Sequence, residues 1–341
     1  MGLSDWTIHG GRLASAAAAF PQAPRPWLDL STGINPQGWP GVDALAIDWR
    51  ALPEAAALAG LEAAAARHFG VAQAARVCAL PGTEAGLRAL RHLGLPGPFR
   101  HVWPGYGTHA EALAGSQPIA HADLAAAVRA GGTTLLANPA NPDGRLTSAQ
   151  GLRDLASAAQ AAGGWLVVDE AFLDAHEAPS IAALMPADAP VIALRSFGKF
   201  FGLAGVRLGF AIGPAALIGR WRAMQGSWPV SAAALAIGTA AYADTSWISA
   251  MRATLAQQAA ACDAVLRRHG LEPMGASPLF RLVACPGAAA ALFEHLAHRG
   301  ILTRPFAYAP RWLRLGVPAS AADLARLDEA LATAGELLRH G

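Results

Sequence analysis

Lysine is almost missing from this chain: of 26 basic side chains one, Lys199, is lysine and the others are arginine. Charge of every kind is scarce at 15%, against 53% hydrophobic residues, which excludes a disordered chain and indicates a well-buried globular protein. The net charge of +2 and the absence of a basic run offer no field for nucleic acid or an anionic membrane, so neither is expected as a partner. Cysteine is scarce too. Cys78, Cys262 and Cys285 are odd in number and far apart, so they form neither a disulfide framework nor a metal-binding pair. No metal is expected, and a reducing cytoplasm is the simplest setting. No basic segment followed by an apolar stretch opens the sequence, so no signal peptide is expected. The apolar stretches are alanine-rich and broken by Gly, Pro or charge before the ~20 residues that a membrane span needs.

The first forty residues are rich in turn formers, among them His9-Gly10-Gly11, Pro21, Pro24, Pro26 and Ser31-Thr32-Gly33-Ile34-Asn35-Pro36. Such a segment reads as an arm laid over a body built by the rest. From residue 54 helical and strand-like patterns alternate. Residues 54–68 read as a helix ending at Gly70, and short apolar runs recur at 76–80, 101–103, 134–137, 165–169, 191–195 and 206–212. Helical stretches such as 84–93 and 148–162 separate many of them. Apolar strands between helices predict an α/β fold with a mostly parallel sheet covered on both faces. Residues 231–268 read as long helix with a break near 244–246. Beyond it, 279–284, 288–299, 311–315 and 321–339 make a smaller C-terminal α/β unit. The expected division is an N-terminal arm over 1–40, a large domain over 41–235, an interdomain helix over 236–270 and a small domain over 271–341, with the arm closing on the cleft.

In a parallel sheet, ligands collect where strands end. Pro81-Gly82-Thr83-Glu84 opens a helix and suits either a phosphate or an ordinary cap. Asn138-Pro139-Ala140-Asn141-Pro142-Asp143-Gly144 is a rigid turn that can leave an amide facing the strand ends. Asp169-Glu170 follows four apolar residues; an acid there can cap a helix or hold a proton on a buried ring nitrogen. Lys199 lies in Ser196-Phe197-Gly198-Lys199-Phe200-Phe201, where solubilising charge is an implausible role because arginine fills it elsewhere. An amine desolvated among aromatics loses its proton more readily and can attack a carbonyl. Eight positions on, Arg207 offers a fork suited to phosphate.

The order Asn141, Asp169, Lys199, Arg207, with spacings of 28 and 30 between the first three, resembles the fold-type I aminotransferase superfamily and its histidinol-phosphate-aminotransferase-like branch. The resemblance covers nearly the whole chain. It implies a fold-type I pyridoxal-phosphate-dependent transferase fold and pyridoxal 5'-phosphate carried by Lys199 as a Schiff base. Asp169 would pair with the ring nitrogen and Asn141 with the ring hydroxyl. Gly82, Thr83, Glu84, Ser196 and Arg207 would bind at the phosphate end. In Pro104-Gly105-Tyr106-Gly107-Thr108-His109, His109 takes the place of the aromatic that stacks on the ring. Phe172 stands where many relatives have a tyrosine that reaches the ring hydroxyl, and Leu52-Pro53 where a Tyr-Pro reaches the partner subunit's phosphate. A homodimer is implied.

His9-Gly10-Gly11, Trp27-Leu28-Asp29-Leu30-Ser31-Thr32-Gly33-Ile34-Asn35-Pro36, Thr303-Arg304-Pro305-Phe306 and Trp312-Leu313-Arg314-Leu315-Gly316 further resemble the L-threonine-O-3-phosphate decarboxylases of cobalamin biosynthesis. That likeness implies release of carbon dioxide from a phosphorylated amino acid to give (R)-1-amino-2-propanol O-phosphate. Arg304 and Arg314 would clamp the carboxylate. His9, Gly10 and Gly11 would close on the substrate phosphate, with Gly33, Ile34 and Asn141 also at the substrate. Arg12 follows where relatives carry asparagine. Two alternatives are a histidinol-phosphate-type aminotransferase and a pyridoxal-phosphate-binding regulator without turnover; such regulators carry an added DNA-binding domain, for which this chain has no room. No G-x-G-x-x-G follows a strand, and Gly198-Lys199-Phe200 is not a P-loop ending.

Overall fold

The computed structural model describes residues 4–7, 9–335 and 337–338, and the chain forms two compact units. One holds Gly38–Asn141 and Leu146–Ser249; the other holds Met1–Gln37, Pro142–Arg145 and Ala250–Gly341.

The first unit is built on a seven-stranded sheet. Its order is Val77–Leu80, Gly209–Ile212, Val191–Ser196, Trp165–Asp169, Thr133–Ala137, Phe99–Val102 and Gln117–Ile119. Gly209–Ile212 runs antiparallel to both neighbours and every other pairing is parallel. Val77–Leu80, Gly209–Ile212, Val191–Ser196, Trp165–Asp169 and Thr133–Ala137 are buried along almost their whole length, which is why they read as unbroken apolar runs. One strand, Gln117–Ile119, is not among the apolar runs of the sequence. It is a short edge strand with Pro118 at its centre and two exposed residues, the composition an edge tolerates.

The helix Ala55–Phe69 ends as its sequence indicates, with Gly70 at φ 72° and its amide bonded back to Ala66 and Arg67. Ser148 caps Ala149–Ala161 by accepting from the Gly151 amide. The stretch beginning at Ser231 is two helices, Ala232–Ala243 and Thr245–Arg268, broken at Asp244. Asp244 Oδ1 accepts from the Trp247 amide and so starts the second helix as it ends the first. Leu80, Leu87, Leu135, Val167, Leu194 and Trp221 belong to one core packed on this sheet.

The second unit has a four-stranded antiparallel sheet in the order Arg304–Pro305, Trp312–Gly316, Phe280–Ala284 and Pro273–Met274. Its core gathers Val283, Leu296, Ile301, Leu313, Leu315 and Leu327, together with Trp6, Ala16 and Leu30 from the N-terminal segment. That segment contains the helices Ser4–Thr7 and Leu13–Ala19, where the sequence suggested only turns. The alanine run favours helix, and Ala16 reaches the core. Leu28–Asp29 pairs in parallel with Ile301–Leu302 and fastens the arm to the unit. The last helix runs Ala321–Ala332, shorter than the 321–339 expected; Arg339 lies outside the described residues. Among the described residues no helix is long and apolar enough to cross a membrane, and no group of three or more His, Cys, Asp or Glu side chains could hold a metal ion.

Candidate active site

In the sheet unit, the chemistry-bearing residues lie at strand ends. Lys199 sits in a single helical turn, Phe197–Phe200, that follows Val191–Ser196. The flanking phenylalanines belong to a buried aromatic cluster. Neighbours one position away point off the helix in other directions, and Phe197, Phe200 and Phe201 are wholly buried, packed with Tyr242 and Trp247. The ring of Phe172 faces Lys199, with Nζ 5.7 Å from its centroid.

Asp169 ends its strand buried, with Oδ1 accepting from the Ala171 amide at 3.0 Å and Oδ2 2.9 Å from His109 Nε2. His109 is 1% exposed, and its Nδ1 has no hydrogen-bond partner among the described residues. Asn141 is buried just beyond the strand Thr133–Ala137, in a turn held by Asn138, whose side chain donates to the Thr147 carbonyl and accepts from the Thr147 amide.

Gly82, Thr83 and Arg207 converge through two glycines. Gly209 pairs with both Leu80 and Ser196, and a Cβ on it would lie 2.7 Å from the Thr83 amide nitrogen. Gly82 has φ 92° and ψ 156°, a conformation open essentially to glycine alone, and a Cβ there would lie 2.7 Å from Arg207 Nη2. Arg207 has φ 54° and is the one non-glycine residue with positive φ among those described. Thr83 Oγ1 donates to the Arg195 carbonyl, and Ser196 is half-buried at the same strand end. The result is an exposed guanidinium set against a bare glycine beside the start of a helix. The Glu84 carboxylate is turned elsewhere: it accepts from Tyr106, Thr108 and Arg88.

Behind these residues runs an ionic network that sequence reasoning missed. Arg195 donates to Glu170 at 3.2 Å and to Asp174, and its guanidinium lies 4.7 Å from the Phe69 ring centroid. Asp174 also meets His68 Nε2 at 2.8 Å, while Glu170 accepts from Ser180 Oγ and the Ile181 amide. Burial opposes ionisation of Asp174, but Arg195 and His68 win and hold it well below the usual carboxylate range. For Glu170 burial wins and pushes the group up despite Arg195. The partners lie up to 106 residues apart in the chain, so no local pattern announces them.

In the other unit, Arg304 and Arg314 are direct cross-strand partners. Leu313 and Leu315 enter the core, and Arg314 takes the opposite face yet is 3% exposed. Its Nη2 donates to the Ser31 carbonyl at 3.0 Å. Burial, and after it the like charge of Arg304, push Arg314 down to about 9. Two cations set directly opposite repel, an arrangement that an anion between them relieves. The Tyr308 phenol, pushed up to about 12 by burial, interacts with both arginines. Ser31, which the sequence did not single out, joins them to the arm: its Oγ accepts from the Gly11 amide at 2.7 Å and donates to Asp29 Oδ1 at 2.6 Å. Gly10 lies so close that a Cβ would fall 2.3 Å from the Ser31 carbonyl oxygen. His9 is exposed beside it, Gly33 is buried and Ile34 is half-buried.

Comparison with known proteins places these residues in context. The family model for aminotransferase class I and II matches residues 48–332. The chain is 41% identical to a threonine-phosphate decarboxylase of Pseudomonas aeruginosa, over 95% of this chain and 96% of that one. It is 39% identical to a threonine-phosphate decarboxylase of a Sinorhizobium species, over 95% and 97%. Among solved structures, histidinol-phosphate aminotransferase from Sinorhizobium meliloti in complex with pyridoxal-5'-phosphate superposes with a TM-score of 0.81 at 22% identity, covering 99% of this chain and 97% of that one. The fold is therefore that of the fold-type I enzymes.

Proposed function

The chain belongs to the aminotransferase class I and II family, and from that premise we propose that it is a pyridoxal-phosphate-dependent decarboxylase of L-threonine O-3-phosphate. The product is (R)-1-amino-2-propanol O-phosphate, made for cobalamin biosynthesis in the cytoplasm.

The residues present fit the cofactor. A Cβ on Gly82 would fill the space in front of Arg207, and the buried carboxylate of Asp169 has a histidine on one oxygen. The single lysine stands at the neighbouring strand end. Gly82, Thr83, Ser196 and Arg207 would hold the phosphate, Asn141 the ring hydroxyl, and Lys199 the aldehyde carbon. When bound, the cofactor supplies the electron sink that accepts the pair left on Cα when the carboxylate departs.

Asp169 would pair with the ring nitrogen, and His109 Nε2 fixes one of its oxygens. Lys199 Nζ would hold the proton delivered to Cα. Phe172 has no hydroxyl for the ring, so Asn141 carries that contact without it. Arg304 and Arg314 orient the carboxylate. A clamp that held it more tightly in the ground state than in the transition state would slow its loss, so orientation is what they contribute. His9 and the Gly10-Gly11 backbone, with Gly33 and Ile34, receive the substrate phosphate, and Arg12 beside them adds a charge suited to it.

The observation that carries the reading is the cross-strand pair Arg304 and Arg314, tied through Ser31 to the arm at Gly10 and Gly11. It joins carboxylate-binding and phosphate-binding chemistry in one unit. Trp49 and Trp228, 76% and 58% exposed, with Leu52 at 66%, support a homodimer in which a second copy covers them. The deciding assay incubates the protein with L-threonine O-3-phosphate and measures carbon dioxide, and separately measures keto acid from histidinol phosphate with 2-oxoglutarate. Carbon dioxide is expected; keto acid without carbon dioxide overturns the assignment.

A further inference from the structure

We propose that Glu84 is a positioning residue that acts on the cofactor site through His109. The inference rests on the function proposed above, and it concerns a residue whose own carboxylate faces away from the phosphate cradle.

Glu84 stands in the first turn of the helix Thr83–Ala89. Its Oε2 accepts from Tyr106 Oη at 3.0 Å and from Thr108 Oγ1 at 2.9 Å; its Oε1 accepts from Arg88 Nε at 2.8 Å. One carboxylate thus pins the segment before His109 at two points, on either side of Gly107. The His109 amide donates to the Tyr106 carbonyl at 2.9 Å, and the Tyr106 ring meets the His109 ring edge-on at 5.8 Å. The imidazole so placed reaches Asp169 Oδ2. Burial pushes the Tyr106 phenol up to about 12, and the Glu84 charge adds to this, so that hydroxyl remains a donor.

An exposed i,i+4 pair with Arg88 would not need the two hydroxyls. Arg88 is half-exposed and already has a second acid in Glu111 at 3.1 Å. Glu84 is suited instead to setting the height and tilt of His109 over a flat ligand. A reacting group displaced by ~1 Å can lose up to about a hundredfold in rate. Loss of Glu84 should therefore lower kcat by about ten- to a hundredfold and leave KM nearly unchanged.

The test is a double-mutant cycle on the holoenzyme with Glu84→Ala, His109→Ala and both together, supported by Glu84→Gln. Expected are a visible circular dichroism change of the bound cofactor in Glu84→Ala of the same sign as in His109→Ala, partial recovery in Glu84→Gln, and a double variant no slower than His109→Ala. Losses that multiply across the cycle overturn the proposal, because Glu84 would then act independently of His109. So does a lowered melting temperature with an unchanged cofactor spectrum, the signature of a purely structural role. Amide hydrogen exchange over residues 104–112 in the protein without added cofactor should rise in Glu84→Ala, and unchanged exchange there also overturns it. That measurement does not depend on which reaction is catalysed. A wild-type protein that takes up no cofactor refutes the function proposed above, whereas the exchange result judges Glu84 alone.

Discussion

Replacing Gly82 with alanine separates the two duties of the phosphate cradle. The backbone at φ 92°, ψ 156° is closed to alanine, which costs about 1–3 kcal/mol of folding stability with or without cofactor. The new Cβ would also stand 2.7 Å from Arg207 Nη2 and 3.3 Å from its Cζ. Those atoms end a long, exposed side chain that can swing aside, so the clash is relieved by moving the guanidinium and the fold survives. What is lost is the position of that guanidinium over the cradle. A hydrogen bond to a charged group contributes about 1.5–3 kcal/mol, so cofactor affinity should fall by roughly 10- to 150-fold. Titration of the cofactor-free protein with pyridoxal phosphate, followed by visible absorbance, reads this directly. Arg207→Ala should weaken binding to a similar degree, and the double variant should lose little more, because both substitutions remove one contact. Gly82→Ala with a lowered melting temperature but wild-type cofactor affinity would refute the cradle.

Lys199→Arg keeps the charge but not the nucleophilic amine, so covalent attachment and turnover should vanish while the melting temperature holds; retained turnover would sink the role of Lys199. Arg314→Met removes a buried cation set opposite another, and by analogy with buried charges replaced by apolar side chains should stabilise the substrate-free protein by about 1–3 kcal/mol while lowering kcat/KM at least about a hundredfold. Because Arg314 is held at about 9 rather than its ordinary 12.5, the unfolded chain binds more protons across that interval. The arginine's unfavourable contribution should therefore shrink as pH rises through it, and the stability gap between the two proteins should narrow in alkaline urea melts. Trp49→Glu combined with Trp228→Glu should shift sedimentation from dimer to monomer; an unchanged dimer would place the interface elsewhere.

Lys199 was legible because composition isolates it, Asn141 and Asp169 because each ends or follows an apolar run whose burial on both faces fixes where the strand must end, and Arg207 by its place eight positions beyond Lys199. The conformations that aim these residues were not legible. Nothing local gives Arg207 a positive φ, and only the approach of three strand ends at Gly209 explains why Thr83 and Ser196 come together. The aromatic setting of Lys199 includes a ring that no local pattern gives, that of Phe172, 27 positions earlier.

Glu84 illustrates how much of a site depends on such distant pairings. As a sequence feature it belongs to the Gly-Thr turn and reads as one more phosphate ligand. In the fold its carboxylate faces away from that turn, to hydroxyls 22 and 24 residues onward. Ser31 stands in the same relation to Arg314, 283 residues later. In both places the group expected to touch a ligand is conspicuous in sequence, while the contact that aims it comes from a polar residue whose partner no local pattern gives. Specificity between loss of carbon dioxide and loss of the Cα proton depends on orientation. The choice of reaction therefore belongs to residues of this second kind, and substitutions at Glu84 and Ser31 should alter the ratio of the two outcomes more than substitutions at the phosphate cradle, which holds the cofactor identically for both.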